Sequence, residues 1–112
     1  MLAQLQAYPT LIVEVIDYTH RLSGPVEQFK AVARLRDGSN LHLNEVWIAG
    51  ELKKYAYYQV SPIGAVIQGW DNAPHHPEIS TYPHHHHTDE GVSASAASTL
   101  ADVLAILAQQ LA

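Results

Sequence analysis

From Val26 to Leu35 two interleaved sets of side chains run together, Phe29, Ala31, Ala33 and Leu35 in one and Gln28, Lys30, Val32 and Arg34 in the other. This is the period-2 signature of a half-buried strand. Upstream, Leu11 to Tyr18 is dense in β-branched residues (Ile12, Val13, Val15, Ile16), whose stiff χ1 suits extended backbone better than helix. Turn signals at Ser23-Gly24-Pro25, Asp37-Gly38-Ser39-Asn40, Ala49-Gly50 and Ser61-Pro62-Ile63-Gly64 mark off three further strands, Leu41 to Ile48, Glu51 to Val60 and Ala65 to Asp71. Connections this short exclude crossovers, so neighbouring strands must be antiparallel.

Near the C-terminus the period changes. Leu100, Val103, Leu104, Leu107 and Leu111 fall on one helical stripe, and Thr99 with Asp102 three residues on makes a capping box with aspartate in place of glutamate. Ser93 to Ser98 reads as the linker into this helix. Met1 to Ala7 is a short helix-compatible stretch ended by Pro9. The expected fold is one α+β domain over residues 1–112: an antiparallel meander of about five strands, a C-terminal helix packed on it, and a His-rich loop across one end.

Composition narrows the function classes. With 112 residues there is room for one modest core, and 47% hydrophobic with 15% charged residues is a globular balance. A formal charge of −5 argues against a large nonspecific nucleic-acid footprint, although Arg34, Arg36, Lys53 and Lys54 could form a local basic patch on neighbouring strands. No cysteine is present, which removes disulfides, thiolate metal sites and cysteine nucleophiles. No stretch has the length and apolarity of a membrane span, and the N-terminus lacks a basic, then apolar, leader. A soluble cytoplasmic protein is expected.

Six of the eight histidines lie between His75 and His87. Imidazole accepts, donates or binds metal near neutral pH, so this segment is where chemistry is expected. The plain alternative is a polar loop stiffened by Pro74, Pro77 and Pro83. In extended backbone, however, His85 and His87 point one way while His84 and His86 point the other. His85 and His87, with His75 or His76 and Asp71, make a nitrogen and oxygen ligand set suited to zinc or another divalent metal. Without metal, two of the histidines could act as general acid and base, with Lys54 as the stabilising cation, and then no cofactor is required. Glu45 is a second anomaly: it shares a strand face with Leu41, Leu43 and Trp47, so a carboxylate points toward the core unless a bulge turns it outward. Tyr55 and Tyr57 share a face of the next strand, within reach of Glu45 across a hairpin.

The segments Lys54-Tyr55-Ala56-Tyr57, Trp70-Asp71-Asn72-Ala73-Pro74-His75-His76-Pro77-Glu78 and Pro83-His84-His85-His86-His87 together resemble the TumE-like family of toxins from prokaryotic toxin–antitoxin pairs. The resemblance runs from Leu41 into the C-terminal helix. It implies that His75, His76, His84, His85 and His87 are family motif positions, with Asp71, Glu45, Lys54 and Tyr55 as weaker matches. His86 and Ala56 depart from the pattern, standing where relatives carry basic residues. The resemblance also implies a toxin neutralised by an antitoxin protein, often a small DNA-binding one.

Two functions are expected from these readings. In one, the protein is a toxin that cleaves or binds RNA, with His75, His76, His85, His87, Lys54 and Glu45 as candidate catalytic residues. In the other it is a noncatalytic metal-binding or protein-interaction module, with the histidines as a structural metal clip. Open sheet edges are compatible with a homodimer.

Overall fold

The two-residue turn Ala49-Gly50 shows how local chemistry sets the architecture. Both residues have positive φ, 51° and 80°, the combination whose twist matches that of the strands it joins, and the flanking Ile48 and Glu51 are paired across it. Repeated hairpins of this kind lay each strand beside the one before. In the computed structural model, which describes residues Met1–Ala112, the elements in chain order are α1 (Leu2–Gln6), β1 (Ile12–Ser23), β2 (Val26–Leu35), β3 (Asn40–Ile48), β4 (Glu51–Val60), β5 (Val66–Asp71), β6 (His85–Thr88), β7 (Gly91–Ala94) and α2 (Leu100–Gln110). The strands form one antiparallel sheet in the order β1-β2-β3-β4-β5-β6-β7.

The meander thus has seven strands, not about five. Three of the six histidines of the expected loop, His85 to His87, lie in strand β6, and the start of the expected Ser93–Ser98 linker is in strand β7. The four-residue turn Thr88-Asp89-Glu90-Gly91 closes this last hairpin, with Thr88 opposite Gly91 and Gly91 at φ 116°. A run of four histidines carries no apolar alternation, which is why the period does not reveal the strand. β1 also extends beyond Tyr18 to Ser23, because Thr19 to Ser23 pair residue for residue with Val26 to Lys30.

The register divides the sheet into two unlike faces. One, the helix face, carries Ala31, Ala33, Leu35, Leu41, Leu43, Tyr55, Tyr57 and Trp70, which are buried with Leu100, Val103, Leu104 and Leu107 of α2 and Leu5 of α1. The capping box that starts α2 is complete: Thr99 Oγ1 accepts from Asp102 N, and Asp102 Oδ2 accepts from Thr99 N. Such a cap stabilises a helix by about 1 kcal/mol. The other face carries no helix. Lys30, His42 and Lys54 are exposed there, and cross-strand rows on it run Lys30, Asn44, Ala56, Asp71, His85 and Val32, His42, Tyr58, Gly69, His87.

Candidate functional site

The site is built on two rungs at the β5–β6 junction. Asp71 ends β5 opposite His85, and Gly69 lies opposite His87, so Asp71, His85 and His87 all project from the open face. Asp71 is only 7% exposed. Its Oδ1 lies 2.6 Å from His85 Nε2 and its Oδ2 lies 2.9 Å from His87 Nε2. The Tyr58 hydroxyl donates to Oδ2 at 2.5 Å and the Ala73 amide donates to Oδ1 at 3.1 Å. A buried carboxylate needs such partners, since an unpaired one is costly in low dielectric.

His85 and His87 differ in what they can do. The Nδ1–H of His85 donates to the Pro83 carbonyl at 2.8 Å, so both of its ring nitrogens face oxygen and its 3% exposed side chain is fixed in place. His87 is 29% exposed, and its buried Nε2 lacks hydrogen-bond geometry despite its closeness to Asp71. The rings of His85 and His87 meet edge to face at 4.6 Å.

One donor atom from each of Asp71, His85 and His87 lies within 4.8 Å of the other two, a group that could hold a metal ion. The donor chemistry fits. The Pro83 carbonyl fixes His85 with Nε2 turned toward the shared point, the usual outer-sphere arrangement for a metal-binding imidazole, and the unpartnered His87 Nε2 is available as a ligand. Three protein donors leave coordination positions open, unlike a closed structural site with four.

The remaining histidines are divided by the same alternation. His76 brings its ring edge-on to His85 at 5.8 Å and contacts Glu78 through Nδ1 at 3.2 Å. It reaches this position with φ of 59°, a left-handed conformation that histidine adopts more readily than most side chains. His75 is exposed and lies outside the three-ligand group. His84 and His86 belong to the helix face: His84 Nδ1 lies 2.7 Å from the Tyr55 hydroxyl, and His86 stacks on Trp70 at 4.8 Å. Burial, and then the charge of His87, holds the His86 imidazole below the usual histidine range.

Glu45 stays inward, at 4% exposure, because Tyr57 donates its hydroxyl to Oε2 at 2.6 Å and Trp47 donates Nε1–H to Oε1 at 3.0 Å. The bulge expected as an alternative exists, but between Val46 and Trp47, one step too late to turn Glu45 outward. The structure therefore puts Glu45 on the opposite side of the sheet from Asp71. Lys54 is on the open face: it pairs with Val46 and lies two residues before Ala56, the partner of Asp71. The basic patch of Arg34, Arg36, Lys53 and Lys54 does not form as a set. Arg34 pairs with Glu14, Lys53 with Glu51, and Arg36 donates to the carbonyls of Thr10 and Ala108.

Tyr58 and Gly69 were not singled out from the sequence. Tyr58 is held protonated well above the usual phenol range by burial first, and then by its bond to Asp71 and that carboxylate's charge. Its ring crosses β5 directly over Gly69, where a Cβ would overlap Tyr58 Cδ1 and Cε1. The available signal was the isolated glycine in Gln68-Gly69-Trp70-Asp71, since glycine inside a strand marks a close approach.

A protein-family model described as Toxin TumE matches residues 2–111. The chain belongs to the TumE toxin family. The match takes in α1, β1 and β2 as well as the stretch from Leu41 that carries the histidine motif, so the whole meander is the family's unit. Comparison with curated proteins and with solved structures gave no significant match. No helix of this family member is long and apolar enough to cross a membrane.

Proposed function

We propose that this TumE-family protein is a growth-inhibiting toxin that cleaves RNA at the Asp71, His85 and His87 site, and that an antitoxin protein neutralises it. The observation that carries the reading is the single buried carboxylate shared by two imidazoles and a phenol on the face left open by the helices. A fixed carboxylate beside imidazoles, one of them partly open to solvent, is a common layout for proton transfer.

RNA supplies its own nucleophile, so an acid, a base and an electrostatic stabiliser suffice. In the proposed step His87 takes the proton of a 2′-hydroxyl and the 2′-oxygen attacks the adjacent phosphorus. The bond from phosphorus to the 5′-oxygen breaks, and His76, whose ring also meets His85 edge-on, gives a proton to the leaving oxygen. The products are a 2′,3′-cyclic phosphate and a 5′-hydroxyl. The fixed ring of His85 packs edge to face on His87, the carboxylate of Asp71 lies beside that imidazole, and Lys54 offsets charge on the phosphate.

A second reading is favoured by the unpartnered Nε2 of His87: a divalent metal such as zinc bound by Asp71, His85 and His87. With three protein ligands the metal would keep an open position and would not be a closed clip.

Expressing wild type, His87→Ala and His85→Ala in cells without the antitoxin tests the toxin reading. Wild type should arrest growth and leave RNA fragments with cyclic phosphate ends, and both variants should be harmless. Equal growth with wild type and variants would overturn it. Zinc titration of tag-free protein separates the two chemistries: one tight zinc per chain, lost in His87→Ala, supports the metal, and no zinc binding with cleavage intact supports the acid–base pair.

A further inference from the structure

The open face holds one more feature, a depression of about 320 Å³ lined in part by Asp17, Lys30, His42, Asn44, Ala56 and Tyr58. It adjoins the histidine site directly, because Tyr58 forms its wall and also binds Asp71. We propose that this depression is a subsite for one nucleotide of a single-stranded RNA, next to the nucleotide cleaved over His87. The proposal rests on the RNA reading above and names the residues that would hold the substrate beyond the reacting phosphate.

Four observations support this occupant. First, the volume falls at the lower end of small-ligand sites, enough for one nucleotide unit and too small for a folded partner. Second, Lys30 is exposed and forms no ion pair, whereas three other cations are engaged by carboxylates or carbonyls. A free ammonium beside a groove is a contact for phosphate. Third, His42 and Tyr58 face each other across β3 and β4, and an exposed imidazole is a surface on which an unpaired base stacks. Fourth, Asn44 has its carbonyl oxygen engaged by Gln28, which leaves its amide hydrogens to meet acceptors on a base edge.

The geometry also sets a direction. His42, Tyr58, Gly69 and His87 occupy one row across four adjacent strands, so His42 lies about 14 Å from His87 at the usual strand spacing. A strand of RNA running across the sheet along this row would place one unit in the depression and the next over the carboxylate and its imidazoles. Ala56, small and directly opposite Asp71, lines the depression on the row next to the carboxylate.

The test uses a labelled 2′-O-methyl hexaribonucleotide, which cannot be cleaved, and the full chain as wild type, Lys30→Ala, His42→Ala and Arg36→Ala. His42→Ala should weaken binding by about fivefold to 100-fold, the range for one lost stacked base. Lys30→Ala should reduce the slope of log affinity against log salt by about 0.7, and Arg36→Ala, away from the open face, should match wild type. Cleavage of natural RNA by Lys30→Ala and His42→Ala should suffer mainly in KM. If wild type cleaves RNA but Lys30→Ala and His42→Ala bind the hexamer as it does, the subsite is overturned and the catalytic reading stands. If hexamer binding depends on Lys30 and His42 while no RNA is cleaved, the subsite stands and the catalytic reading falls. Failure of wild type to bind the hexamer overturns the subsite.

Discussion

Replacing Gly69 by alanine adds one carbon, yet it should act through Tyr58 and so reach the site. The added Cβ would overlap two carbons of the Tyr58 ring and lie 2.8 Å from its Cγ. The ring is held between that glycine and Asp71 by the 2.5 Å hydrogen bond of its hydroxyl, so it cannot move without losing the bond. Overpacking of this kind costs about 1–3 kcal/mol, and a lost hydrogen bond to a charged group about 1.5–3 kcal/mol. Because the ring can escape one penalty only by accepting the other, the expected loss is on the order of 1–3 kcal/mol. Removing the ring should reverse the sign. In a Tyr58→Ala background the atoms nearest the added Cβ are gone, so Gly69→Ala should stabilise the strand by roughly 0.5–1 kcal/mol, the ordinary advantage of alanine over glycine. Urea unfolding of wild type, both single variants and the double variant gives the coupling directly. If Gly69→Ala changes stability by the same amount with and without Tyr58, the reasoning is refuted.

Two further outcomes follow from other parts of the fold. Tyr57→Phe leaves Glu45 Oε2 buried without its donor, so it should lower unfolding stability by about 1.5–3 kcal/mol. Its effect on growth inhibition per folded molecule should be nil, because Glu45 and Tyr57 are on the helix face; a loss of toxicity at full folding would place Glu45 in the mechanism. His86 has its folded-state pKa depressed by burial against the sheet and by His87, so its neutral form favours the fold, and that contribution is present above the unfolded histidine value and lost as pH falls through the imidazole range. His86→Phe, which retains a ring on Trp70, should therefore gain stability relative to wild type between about pH 8 and about pH 5; a difference independent of pH would remove the assigned cause.

The helical and hairpin parts of the molecule were legible because each has a local signal. The apolar stripe of α2 and its Thr99 to Asp102 cap are contained within a few residues, as are the turns that define β2 to β5. Strand alternation marked Glu45 as inward unless a bulge turned it out; the choice, and its holders Tyr57 and Trp47, required the register. The site was only half legible. Alternation paired His85 with His87, but the choice of His76 over His75 depends on backbone that turns left-handed at one residue. Tyr58 was invisible as a site residue because its role arises from lying across the neighbouring strand, and β6 and β7 have no apolar rhythm. The patch of Arg34, Arg36, Lys53 and Lys54 failed because the first three found separate partners, while Lys54, like Lys30, forms no ion pair.

Only three residue pairs join β5 to β6: Gly69 with His87, Trp70 with His86, and Asp71 with His85. Four identical side chains in succession give this ladder no alphabet of its own, and sliding it by one place toward His84 would still present an imidazole to every neighbour. Such a slip would swap which rings meet the carboxylate and which meet the indole. The alignment is therefore written outside the run, by Pro83 accepting from His85 and by Tyr55 holding His84. A change at either anchor could misalign the toxin's histidines without altering one of them.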